Sequence, residues 1–206
     1  YEKISNSFLN KIIRFETLLT ATQYFSWAKI GKPYMGIGRN MAYKREEFFK
    51  VRGFMDHMKI RSGDDDLFIN QAANGDNTTI CYVPDSFTYS TPKTRFKDWF
   101  TQKRRHVSTA KHYKLFDRNQ LGLFYVSQLL FLLLPIVLLA FQYQWIAVVS
   151  IIGFRYLFAW LTLGFAAGKL KEKDVMYWFP IIEIVLIFTQ LNVFITNTFS
   201  KPVHWK

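Results

Sequence analysis

"NQLGLFYVSQLLFLLLPIVLLAFQYQWIAVVSIIGF", residues 119–154, carries no charged side chain. A helix needs about 20 residues to cross roughly 30 Å of hydrocarbon, so this run is long enough for one crossing and the start of a second. The uncharged "QYQ" at 142–144 divides it. We therefore expect membrane spans at 121–141 and 145–167, and the apolar run at 175–199 suggests a third. The segments lack the alternation of a barrel strand, which leaves helices as the structure that satisfies its own backbone in lipid. Pro135 and Pro180 are tolerated inside membrane helices, and Trp145, Tyr177, Trp178 and Trp205 fall near the expected interfaces.

Working outward, charge separates the two ends of the chain. The 206 residues are 50% apolar and 18% aromatic, too rich for disorder, and carry a net charge of +12. Residues 1–118 hold 21 Lys and Arg against 12 Asp and Glu, and the remainder 6 against 3. Positive loops stay cytoplasmic, so residues 1–118 and the lysine-rich "GKLKEKD" at 168–174 belong on the cytoplasmic face of an inner or plasma membrane. The tail "SKPVHWK" at 200–206 would then end outside despite its two lysines, so a re-entrant or interfacial third segment remains open. A basic domain against anionic lipid accounts for the charge, and no nucleic-acid motif accompanies it. The single cysteine, Cys81, cannot form an intrachain disulfide and fits a reducing compartment.

Residues 1–118 open with helical periodicity, Phe8, Ile12, Phe15 and Leu19 forming one apolar face. The chain starts without Met and reads as the middle of a longer protein, so part of an active site is expected upstream and the chain alone is expected to be inactive. Residues 31–113 read as a mixed α/β layer, with a glycine-bearing loop "GIGRN", a short strand at 41–43 and a helix that stops near Gly53. "GIGRN" lacks the third glycine and preceding strand of a dinucleotide fingerprint and reads as a turn.

Two polar clusters stand out. In "SGDDDLFINQAANG", Leu67, Phe68, Ala72 and Ala73 suit a short helix ending at Gly75, with 62–66 as its lead-in. One aspartate could cap that helix and another sit at its positive end. A third carboxylate beside them is costly unless a cation or a proton relieves it, and such crowding raises a pKa toward general-base range. In "TRFKDWFTQKRRHVSTAKHY", Phe96, Trp99, Phe100, Val107 and Ala110 form an apolar helix face. Gln102, Arg105 and His106 share another face at i, i+3 and i+4. Arg is suited to phosphate oxygens; contact with lipid headgroups alone is the simpler alternative for "KRRH".

Together, "GDDD", then "QKRRH" about 37 residues later, then membrane spans, resemble the second half of a membrane-bound family 2 glycosyltransferase, the group that includes hyaluronan, chitin and cellulose synthases. The resemblance covers nearly the whole chain, and "GIGRNMAYKREEFFKVRGF" falls where the family has a glycine loop, a strand and a helix. It implies an α/β fold, a partial GT-A domain at 1–118 followed by about three transmembrane helices at 119–206. It implies an inverting enzyme that moves a sugar from a nucleotide-sugar donor to a glycan or lipid-linked acceptor at the membrane, with membrane lipid as a further partner, in cell-envelope polysaccharide synthesis.

By position, Asp65 matches the general base and Asp64 the acidic residue before it. Gln102 and Arg105 match the first and fourth positions of the family's QxxRW motif, near the donor diphosphate and acceptor channel. His106 replaces the Trp, which weakens the case for a processive polymerase, because imidazole offers less apolar surface to an acceptor sugar. Arg104 is a phosphate neighbour without a strict motif role. Mg²⁺ or Mn²⁺ is implied as cofactor, its ligands expected mainly upstream of the residues shown. Addition of a single sugar to a lipid-linked acceptor uses the same residues; a non-catalytic membrane scaffold or transporter subunit is the alternative of a different class. Arg155 and Glu183, both inside expected spans, are expected to form an ion pair rather than to line a polymer path.

Overall fold

The computed structural model describes residues 1–60 and 62–200. Their order is α1 (Phe8–Lys29), α2 (Arg45–Lys50), α3 (Asp64–Ala72), α4 (Phe96–Thr109), α5 (Leu115–Ala140), α6 (Trp145–Lys169) and α7 (Phe179–Phe199), with short 3₁₀ turns between them. Trp205, Lys201 and Lys206 of the tail lie outside the described residues.

The expected α/β layer is not there: 71% of the described residues are helical and none is in a strand. At the proposed strand, Met41 is extended, with φ −137° and ψ 139°, but extended backbone becomes a strand only when a neighbour pairs with it. No described segment pairs with 41–43, and Tyr43 instead packs its ring on Phe68, 4.5 Å between centroids. A three-residue apolar run carries too little periodicity to separate a strand from a packed loop. The GT-A assignment for these residues falls with the sheet.

The opening helix forms as its pattern indicates. Ser7 caps α1, its hydroxyl accepting from the Asn10 amide at 3.2 Å, which satisfies one of the unpaired donors of the first turn. Ile12 and Phe15 of the expected face are buried, together with Leu18 in place of the half-buried Leu19, whereas Phe8 is 39% exposed and lies edge-on to Trp178. That face packs with Trp99 of α4, Ala167 of α6 and Phe179 and Ile182 of α7 in the main apolar core. Beside it, buried Arg14 donates to Asp174 and Glu172 in the loop after α6, so α1 is clamped to the lysine-rich loop by charge as well as by apolar packing.

α5 and α6 are a different kind of element. Their most apolar windows are 0% and 6% buried, with mean hydropathies of 2.4 and 1.9. A helix this apolar that finds so little protein cover needs lipid to remove it from water. Both match the expected spans, α5 starting earlier than expected, and they are joined by a turn in which Gln142 and Gln144 take positive φ. The third apolar stretch, Lys173–Phe199, is 33% buried in its window. Arg155 and Glu183 form the expected ion pair, with two bonds of 2.6 and 2.5 Å.

Candidate active site

All three aspartates fall in the first turn of α3, where the helix dipole favours negative charge. The cap is none of them: Gly63 takes that position in the left-handed region, φ +86°. A Cβ there would come within 2.8 Å of Thr109 Cγ2 and 2.9 Å of Asp66 Oδ1. Gly63→Ala therefore combines backbone strain with a clash against the packed α4, and should cost about 1–3 kcal/mol of stability. An unchanged melting midpoint would show that the loop can shift at no cost.

The three carboxylates have different surroundings. Asp64 is exposed. Asp65 accepts from the Gly38 amide at 2.7 Å and from the Asp66 amide at 2.9 Å. Asp66 accepts from the Tyr113 hydroxyl at 2.5 Å and from Thr109 Oγ1 at 3.0 Å. These surroundings divide the pair electrostatically. Burial pushes Asp66 up to about 6 against the Tyr113 hydrogen bond, and the neighbouring Asp65 charge adds to the rise. Burial also acts upward on Asp65, but hydrogen bonds from Gly38 and Asp66 outweigh it and hold that carboxyl below its usual range. Asp65 is thus ionised at neutral pH and half-open, while Asp66 is committed to the protein.

A consequence for stability follows. Between pH 4 and 6 the folded protein holds a proton on Asp66 that the unfolded chain has lost, so this group's contribution to stability falls as pH rises through that window. Asp66→Asn keeps an acceptor for Tyr113 and Thr109 but cannot titrate. The stability of the native protein relative to Asp66→Asn should decline from pH 4 to 6; a constant difference in unfolding midpoint would remove the assignment.

The basic helix meets this acid pair with a defined face. Gln102, Arg105, His106 and Thr109 stand at i, i+3, i+4 and i+7; Thr109 touches Asp66, which fixes the direction of the whole face toward the start of α3. His106 keeps an exposed edge, yet desolvation by the packed protein, with Lys103 and Arg105 adding, pushes it down to about 4. The ring is neutral at pH 7 and within electrostatic reach of Asp65. Arg104, expected near phosphate, projects from the opposite face and bonds Asn197 of α7 and Ser200 just beyond its end. Lys103 pairs with Glu16 of α1. Sequence reasoning missed Gly38, Thr109 and Tyr113. Thr109 was legible as the i+7 position of the same face; Tyr113 lies beyond the helix and carries no periodic signal.

A cavity of about 1520 Å³ is walled by Tyr24, Arg39, Tyr43 and Phe68 among others but by neither Asp65 nor Arg105. It is broader than the 300–1,000 Å³ typical of a small-molecule pocket, and the charged pair on its wall, Arg14 and Glu172, is already spent on clamping α1 to the loop after α6. Ile37 and Arg39 line it, while Gly38 between them donates to Asp65, which is not part of the lining. Among the described residues no three His, Cys, Asp or Glu side chains converge as metal ligands, and Asp65 and Asp66 already accept protein hydrogen bonds. These residues do not by themselves form a Mg²⁺ or Mn²⁺ centre.

No curated protein and no solved structure matches the chain. A half-open ionised carboxylate opposite a Gln–Arg–His face, carried on a chain with long lipid-suited helices, agrees with what the family comparison finds: the model of glycosyl transferase family group 2 matches residues 2–188, and the chain belongs to that family.

Proposed function

We propose that the protein transfers a sugar from a nucleotide-sugar donor to a glycan or lipid-linked acceptor at the cytoplasmic face of an inner or plasma membrane, in cell-envelope polysaccharide synthesis. The observation that carries this reading is the division of labour in the acid pair. Asp65 is held ionised by the Gly38 and Asp66 amides while staying half-open, and His106 of the α4 face lies within its electrostatic reach, whereas Asp66 is taken up by Tyr113 and Thr109.

In the proposed reaction an acceptor hydroxyl gives its proton to Asp65 as its oxygen attacks the anomeric carbon, and the nucleoside diphosphate departs from the opposite side. The new C–O bond forms as the old one breaks, so the configuration inverts. Arg105 offers its guanidinium to the diphosphate, and Gln102 and the neutral His106 line the acceptor side. Asp64, exposed beside the base, adds negative potential at the acceptor entrance. His106 in place of an indole favours addition of one sugar over processive polymerisation, because a small polar ring grips a growing chain weakly.

The experiment is turnover by the full-length protein in nanodiscs against labelled UDP- and GDP-sugars, with Mg²⁺ or Mn²⁺ supplied, and sizing of the product. A labelled product supports the transferase, and its length separates single addition from polymerisation. Silence across the panel from folded protein would favour the scaffold reading.

A further inference from the structure

We propose that Asp66 is a positioning residue for the transfer reaction and acts through Asp65: the proton that Asp66 holds between the Tyr113 and Thr109 hydroxyls sets how strong a base its neighbour is. The role rests on the transferase reading of Asp65.

The contacts around Asp66 have room for one more hydrogen than the hydroxyls supply. Tyr113 Oη lies 2.5 Å and Thr109 Oγ1 3.0 Å from the same carboxyl oxygen, Oδ2. Thr109 Oγ1 also stands 2.7 Å from the His106 carbonyl oxygen. Each hydroxyl has one hydrogen to give and a carbonyl has none, so these contacts share two hydroxyl hydrogens among three. Tyr113 gives its own to Asp66, and Thr109 turns its hydrogen either to His106 or to Asp66. With Asp66 protonated, the carboxyl can donate to Thr109 while Thr109 donates to His106, and every contact then holds a hydrogen. With Asp66 ionised, the Thr109 hydrogen serves the carboxylate and the contact with the His106 carbonyl goes without.

Asp65 feels which state is present because the two carboxyl groups meet. They are within hydrogen-bonding reach of each other, and that bond holds Asp65 down and lifts Asp66. The proton of Asp66 thus has a second acceptor in Asp65. While it stays, Asp65 has a neutral neighbour that can donate to it. Once it is lost to solvent, Asp65 stands beside a second negative charge, which raises its affinity for the proton of an acceptor hydroxyl. Transfer therefore gains as Asp66 ionises, which burial delays to about 6.

The other groups around the pair keep their charge through that range. Tyr113 is buried, and burial together with the Asp66 charge pushes its hydroxyl above the ordinary value. The buried Tyr34 stands behind it, 6.3 Å between ring centroids. From α4, His106 has Lys103 and Arg105 beside it and Arg39 within electrostatic reach; it is pushed down to about 4 and is neutral above pH 5. Lys103, lowered by burial to about 8, stays charged below pH 7. Among these groups Asp66 is the one whose midpoint falls between pH 5 and 7.

The test is kcat/KM for transfer by the full-length protein in nanodiscs, followed from pH 5 to 7.5 for the native protein, Asp66→Asn and Tyr113→Phe. The native profile should rise through an inflection near pH 6, by about tenfold or less. Asp66→Asn should lack the inflection, because an amide cannot ionise. Tyr113→Phe keeps the ring against Tyr34 and withdraws a hydroxyl that favours the charged carboxylate, so its inflection should move up by about one pH unit. A merely structural fault lowers a profile without moving its midpoint. Transfer with a flat native profile, an inflection that survives in Asp66→Asn, or a midpoint in Tyr113→Phe at or below the native one would overturn the role of Asp66 and leave the transferase reading standing. Absence of transfer at every pH would overturn both. The native protein and Asp66→Asn decide the matter by themselves if Tyr113→Phe fails to fold.

Discussion

Asp65→Asn should lower sugar transfer by about 10²–10⁴-fold while leaving nucleotide binding within a few-fold of the native protein. The magnitude is what a positioned general base contributes, and the amide keeps the size and the acceptor for the Gly38 amide, so the loop at Gly38 has no reason to move. Asp66→Asn provides the contrast. Its carboxylate is taken up by Tyr113 and Thr109, and an amide oxygen accepts those bonds, so its loss of rate should be about tenfold or less. Equal losses in the two variants would mean that the pair acts as one unit. A larger loss in Asp66→Asn would transfer the role of base to Asp66, whose higher pKa makes it the stronger base of the two.

How far the sequence foretold this arrangement depends on the range of the forces involved. The membrane helices were legible because hydropathy is summed over 20 or more positions, and no local exception cancels such a sum. The face of α4 was legible because helical geometry is rigid: once Phe96–Thr109 is a helix, Gln102, Arg105 and His106 must share a side, and Arg104 must point away from it. The distinction between Asp65 and Asp66 was not. It is made by Gly38 and Tyr113, 27 and 47 positions away from their respective partners, and adjacent identical residues carry no mark of which will be buried. The absent sheet failed for the same reason in reverse. A strand exists only through its neighbour, and the 41–43 run gave its side chains to Phe68 instead.

Arg155 and Glu183 should behave as a pair whose halves are each harmful alone. Arg155→Leu leaves the Glu183 carboxylate, 7% exposed, without its guanidinium partner, and should cost about 3–5 kcal/mol, the range for breaking a buried ion pair. Glu183→Leu should cost less, because the guanidinium still rests 4.8 Å from the ring of Phe131 and 5.0 Å from that of Tyr156 and is itself 24% exposed, so part of its stabilisation survives. The double replacement by Leu should recover most of the loss, since neither charge then stands uncompensated in an apolar setting. Thermal unfolding of the four proteins in one detergent measures the coupling directly. Additive losses would remove the ion pair as the clip between α6 and α7. Recovery of stability in the double variant, together with normal transfer activity, would establish that the two charges hold helices together and take no part in moving a product across the membrane.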